Sequence, residues 1–233
     1  MGKPLCVVAG VGPGNGLACA KRFSAAGYRT AILARDAGRL AGYAEGDEDM
    51  HPFGCDLASP DSVAATFDDL RAQLGVPDVV IYNAGSGLFG PALETPPADF
   101  EIAWKINALG LLAVAQAVAP AMINNGGGCL LVTGATASLR GGANFAAFSS
   151  AKGAQRNLTQ SLARSLGSQG IHVALVIIDG VIDIPRTREM MPDKPDEFFL
   201  QPGAIAEVFY QLSQQDKSAW TFEVDVRPSG ENW

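Results

Sequence analysis

The segment Gly10-Val11-Gly12-Pro13-Gly14-Asn15-Gly16 places four glycines in seven residues, directly after an apolar run and directly before a helical pattern. Glycine admits positive φ and has no Cβ, so such a turn can bring backbone amides and a helix N-terminus close to a pyrophosphate. A dinucleotide site is therefore expected around Gly10, Gly14, Asn15 and Gly16. The second apolar run closes on Ala34-Arg35-Asp36. An acidic side chain at this place binds a ribose 2′-hydroxyl and a basic one accommodates a 2′-phosphate, so Arg35 favours NADP(H) over NAD(H). Asp36 dissents; its competing role is to cap the helix that begins there. In Phe148-Ser149-Ser150-Ala151-Lys152 an aromatic ring and an amine share one helix face. His51 and His172 fall at the starts of expected strands, away from the carboxyl ends where ligands bind, and neither is expected to act as a base. No group of residues has metal-ligand spacing.

These residues need a frame. Short apolar runs at 5–9, 30–34, 52–55, 79–82, 130–133, 173–178 and 222–226 read as seven strands, most of them apolar on both faces, as a covered parallel sheet requires. Helical periodicity occupies 15–26, 37–44, 60–74, 97–123, 148–166 and 203–214 between them. Ser59 before Pro60 marks an N-cap, and Gly27 lies where a left-handed C-cap is common. Alternating strand and helix predict a Rossmann-type, doubly wound α/β fold in a single domain over residues 1–233, with a ligand crevice at the carboxyl ends of the strands. Residues 183–202 fit neither sheet nor long helix and read as a substrate lid.

With 48% hydrophobic and 18% charged residues, the 233-residue chain has the composition of a globular protein. Its formal charge of −7 offers no basic cluster for phosphates, so no nucleic-acid partner is expected. No uninterrupted apolar run approaches membrane-spanning length and no signal peptide is recognisable, so neither a membrane nor export is expected. Cys6, Cys19, Cys55 and Cys129 lack paired spacing and read as reduced core residues of a cytoplasmic protein.

Several motifs recur in a fixed order. Gly10, Gly14 and Gly16 follow the pattern Gly-x-x-x-Gly-x-Gly, Asp56-Leu57 follows the third strand, Asn83-Ala84-Gly85 follows the fourth, and Asn107 and Lys152 lie in the two long helices. In these features, over about residues 4–227, the chain resembles the short-chain dehydrogenase/reductase family. The resemblance implies that Asp56 and Leu57 border the adenine and that Asn83-Ala84-Gly85 lines the ribose side of the cofactor. Asn107 would shape a helix kink holding a water near Lys152, which would hydrogen-bond the nicotinamide ribose. Gly180 and Ile182 match the segment that meets the carboxamide, and Ala34 stands where the family carries an acidic residue. A homodimer or homotetramer is also implied, through the helices 97–123 and 148–166, with Ala146, Ala147, Ala151 and Gly153 allowing close approach. Trp233 would dock on a neighbouring subunit.

The chain also departs from the pattern. Phe148 occupies the place of the family's tyrosine, Ala135 that of its serine, and Asp179 and Ile184 those of a proline and a threonine. A hydride delivered to a ketone builds an alkoxide that a positioned phenol can protonate, and phenylalanine donates nothing. Thr136, Ser138, Asn144, Ser149, Asp179, Asp183, Tyr82, Arg186 and Glu189 are the other polar groups expected near the pocket. Two readings follow. One is an NADP(H)-dependent oxidoreductase acting on a small apolar carbonyl, enone or imine in a pocket of Phe148, Ala135, Phe145 and Met190, with Met191 and the lid phenylalanines. The other is a catalytically silent NADP(H)-binding protein with a regulatory role.

Overall fold

The computed structural model describes residues 2–230; Trp233 lies outside them. Strands β1 (Leu5–Ala9), β2 (Arg29–Ala34), β3 (Met50–Gly54), β4 (Val79–Tyr82), β5 (Gly128–Ala135) and β6 (Ile171–Ile178) alternate with helices α1 (Asn15–Ala25), α2 (Ala37–Ala44), α3 (Pro60–Leu74), α4 (Pro97–Trp104), α5 (Gly110–Asn124) and α6 (Ala146–Leu166). The chain continues through β7 (Val181–Ile182), α7 (Pro185–Met190), β8 (Phe199–Leu200), α8 (Pro202–Ser213) and β9 (Glu223–Val226). The main sheet has seven strands in the order β3-β2-β1-β4-β5-β6-β9, paired in parallel throughout. This is the doubly wound arrangement that the alternating pattern predicts.

Side chains on a strand alternate between faces, and the core divides accordingly. Leu5, Val7 and Ala9 pack on one face with Phe67 of α3 and Leu111 and Val114 of α5. Cys6 and Val8 pack on the other with Phe23 of α1 and Ile205 and Phe209 of α8. Strand order reverses at β1, which lies between β2 and β4, so the turns after β1 and β4 meet at one crevice. The expected caps form: Ser59 accepts from the Ser62 amide at 3.3 Å, and Gly27 has φ +87°.

Three differences from the sequence reading bear on the site. The helix expected at 97–123 is broken by one turn of π-helix, Lys105–Leu109, between α4 and α5. As one rod, Pro97–Asn124 is long and apolar enough to cross a membrane, with mean hydropathy 1.8, which no uninterrupted run had suggested. More than half of that window is buried inside the molecule (56%). Residues 183–202 do contain regular structure, because α7 sits in the connection from β7 to β8, which pair in parallel; elements of two to six residues are too short to leave a period. Finally, Ala147 and Ala151 are buried against Ala103 of α4 in the same chain, so their small size serves internal packing.

Gly110 sets how closely α5 crosses the sheet. A Cβ there would lie within clashing distance of the Leu57 carbonyl and the Tyr82 hydroxyl, at 2.2 and 2.4 Å. Gly110→Ala must push α5 off a backbone oxygen, and we expect a loss of about 3 kcal/mol or more in urea unfolding. A loss below about 1 kcal/mol would show that α5 can shift freely.

Candidate functional site

The glycine turn is built by close contacts. Gly10 has φ +100°, and a Cβ on it would stand 2.5 Å from the Ala84 nitrogen. Gly14 and Gly16 do not share the positive φ, contrary to the simplest view of the turn. They serve proximity instead: a Cβ on Gly16 would be 2.6 Å from the Gly10 carbonyl, and one on Gly14 would be 2.8 Å from Cγ2 of Ile184. Asn83 ties the turn to β5, donating from Nδ2 to the Gly10 carbonyl (2.7 Å) and accepting from Thr133 Oγ1 (3.0 Å). Asn15 is buried at the start of α1, and its Oδ1 has no protein partner. A glycine-rich turn, with a buried acceptor beside it, fits a phosphate-bearing group accompanied by water.

At the end of β2, Arg35 is exposed and makes no ion pair among the described residues. Asp36 accepts from the Arg39 amide at 3.0 Å, so its carboxylate is committed to capping α2. Asp56 is exposed and accepts from the Ala58 amide at 3.0 Å, while Leu57 points into the core. Gly180, with φ +147°, packs against Pro228, and Ile182 pairs with Leu200 across the short β7–β8 ladder.

The polar centre lies on α6 and the π turn. Lys152 is buried, and its Nζ donates to the Thr133 carbonyl and to Gln155 Oε1, both at 2.9 Å. Burial lowers its pKa from the usual lysine value to about 7. Asn107 is fully buried in the π turn; its Nδ2 donates to the Ala103 carbonyl (2.9 Å) and to Ser86 Oγ (3.3 Å). Asn107 Oδ1 has no protein partner. A Cβ on Gly85 would lie 3.3 Å from that oxygen and 3.6 Å from Lys152 Nζ. The amine and the carbonyl oxygen therefore flank a residue without a side chain, leaving room for a hydroxyl-bearing group or a water. The sequence reading missed Gln155, for which the available signal was its i+3 spacing from Lys152.

One turn before Lys152 on α6, Phe148 belongs to a group of aromatic rings. Phe148 is half-buried and meets Phe89 edge-on at 5.3 Å between centroids; Phe89 meets Phe145 at 5.1 Å. Phe89 was also missed, because it lies in an irregular stretch without period. Ala135 is half-buried at the end of β5 and presents only a methyl group. Met190 is 63% exposed on α7, and Phe198 and Phe199 pack edge-on against each other, so the structure does not gather these residues with the three rings.

Six of the nine alternative polar groups are engaged by protein partners: Thr136, Ser138, Ser149, Asp179, Tyr82 and Asp183. Thr136 Oγ1 donates to Asp179 Oδ1 (2.6 Å), Ser138 Oγ to the Ala135 carbonyl (2.7 Å) and Ser149 Oγ to the Phe145 carbonyl. Tyr82 donates to the Ile106 carbonyl, and burial pushes its phenol well above the usual range. Asp183 is held by Arg188 and Gln201, whose hydrogen bonds lower its pKa to about 2.

A sequence model of the short chain dehydrogenase family matches residues 5–194. The chain is 31% identical over 174 residues to the 7alpha-hydroxysteroid dehydrogenase of Escherichia coli, covering 72% of this chain and 67% of that protein. Among solved structures, a short-chain dehydrogenase from Rhodopseudomonas palustris superposes with TM-score 0.82 at 34% identity, covering 97% and 98% of the two chains. A metagenomic short-chain oxidoreductase in complex with NADP superposes with TM-score 0.84 at 28% identity, covering 98% and 99%.

Proposed function

This chain belongs to the short-chain dehydrogenase/reductase family, and from that membership we propose that it is an NADP(H)-dependent reductase of small apolar carbonyls, enones or imines. The observation that carries the reading is the Lys152–Asn107–Gly85 centre, with Phe148 one helical turn before Lys152 on α6. The bound nicotinamide would supply the hydride. Lys152 would hold the ribose, Asn107 Oδ1 a water beside it, and Asn83, Ala84 and Gly85 would line the ribose side. Gly10, Gly14, Asn15 and Gly16 would carry the phosphates, Asp56 and Leu57 the adenine, and Gly180 and Ile182 the carboxamide. Phe148, Phe89, Phe145 and Ala135 would shape the substrate side and exclude water; Met190 would reach it only by movement of residues 183–202, read as a lid. An iminium that arrives protonated, or an enone whose enolate can be protonated from water, suits such a site better than a ketone.

Exposed Phe100 and Trp104 on α4 support a homodimer or homotetramer. Four free, buried cysteines support a reducing, cytoplasmic setting.

The test is a fluorescence titration with NADPH and NADH, followed by nicotinamide absorbance with a panel of ketones, enones and cyclic imines. Arg35→Ala should weaken NADPH about 10- to 100-fold and leave NADH unchanged, the value of one charge-assisted contact to a 2′-phosphate. No nucleotide binding at all sinks the reading. Tight NADPH binding without turnover of any panel member, unrescued by restoring the hydroxyls, favours the silent binder that two missing hydroxyls also suggest.

A further inference from the structure

Gln155 lies in the middle of α6, fully buried, where helical packing would ordinarily place an apolar side chain. Its Oε1 accepts from Lys152 Nζ at 2.9 Å, and its Nε2 is buried without a partner. An unpaired buried amide N–H is destabilising. The side chain thus lowers stability at one end and is fully used at the other, and the group using it is the amine of the proposed site.

We infer that Gln155 is a positioning residue for Lys152: together with the Thr133 carbonyl it fixes Nζ beside Gly85 and keeps the amine a hydrogen-bond donor in a buried site. Phe148, one turn earlier, offers the amine no oxygen. With two of the three ammonium hydrogens taken by Thr133 and Gln155, one remains for a ribose hydroxyl or a water on the Gly85 side. The consequence for catalysis rests on the reductase reading; the contact itself does not.

Among the described residues, charged groups on the elements around the amine are engaged with other partners. Glu101 and Lys105 pair with each other on the α4 side. Asp179, after β6, engages Thr136 and Arg227. Arg156 on α6 pairs with Glu223 of β9, and Asp183 and Arg188 are joined beyond β7. The named acceptors are neutral, so the charge state of Lys152 depends on burial and on these two oxygens.

The experiment is a pH titration of 15N-labelled lysine side chains by NMR, tractable with six lysines in the chain, with the Lys152 resonance assigned by its loss in Lys152→Met. Gln155→Met removes the acceptor at similar volume, and the Lys152 midpoint should fall by about one pH unit; Gln155→Glu places a carboxylate there, and the midpoint should rise by at least about one unit. NADPH affinity should also weaken about tenfold in Gln155→Met. If Gln155→Met does not fold, Gln155→Glu alone decides. A midpoint that moves by less than about half a unit in the folded variants overturns the inference, whatever their stability. Failure of the wild-type protein to bind NADPH would sink the reductase reading and leave the lysine titration readable.

Discussion

Phe148→Tyr combined with Ala135→Ser is expected to raise ketone reduction by about 10²- to 10⁴-fold, the usual contribution of a positioned proton donor. Phe148 lies one helical turn before Lys152 and packs on Phe89, so a hydroxyl added to its ring would be carried on the same helix face as the amine. Where Lys152 carries its proton, at about pH 7 and below, the ammonium favours the phenolate form and lowers the phenol pKa from about 10. The hydroxyl introduced by Ala135→Ser would polarise the same carbonyl from the end of β5. The gain should appear in kcat on ketones and be small on a cyclic iminium, which needs no acid. Equal acceleration of both substrates would show that the substitutions act on the shape of the site. No gain on any ketone would locate the fault elsewhere, with Ile184 against Gly14 the first suspect.

Lys152→Met should separate stability from function. In the folded chain the buried amine loses its proton at about pH 7; unfolded, it keeps that proton to about pH 10. Between those values the unfolded chain binds more protons, so folding stability rises with pH across this window. Below pH 7 both states are charged and the full cost of burying the ammonium is present. The span is worth up to about 5 kcal/mol, an upper bound for a group buried this deeply. The methionine variant lacks this component, so the excess of wild-type over variant pH dependence in urea-unfolding free energy should grow from pH 7 to 9; the four buried cysteines, whose thiols ionise at about 8.5 only in the unfolded chain, contribute equally to both proteins and cancel in the comparison. NADPH-dependent turnover should fall by about 100-fold or more, because the ribose loses its amine. A variant with the wild-type slope would mean that Lys152 is hydrated and ordinary; unchanged turnover would remove it from the site.

The residues proposed for the cofactor could be named from the sequence because their positions are local. The glycine turn, Arg35 at the end of β2, and Asn83-Ala84-Gly85 after β4 each lie within a few residues of a strand end, and strand ends are marked by apolar runs that stop abruptly. The positions compared with the family pattern, Phe148 and Ala135, are likewise fixed by counting from Lys152. β5 and β6 extended beyond their expected ends because pairing with a neighbour carries Gly128, Gly134 and Ala135 into the ladder whatever their own preference.

The sequence by itself determined the alternation of strand and helix, the glycine turn between β1 and α1, and the placing of Phe148 and Ala135 relative to Lys152. Only the tertiary structure decided that Gln155 turns inward onto Lys152, that Phe89 joins Phe148 from a distant loop, and that the phenylalanines of residues 183–202 pack on each other. It also placed Asn107 in a π turn, where its amide reaches Ala103 and Ser86. Periodicity reports which face of an element is buried, a property of near neighbours. Which polar atoms meet inside depends on how elements distant in the chain cross, and that is set by packing at points such as Gly110.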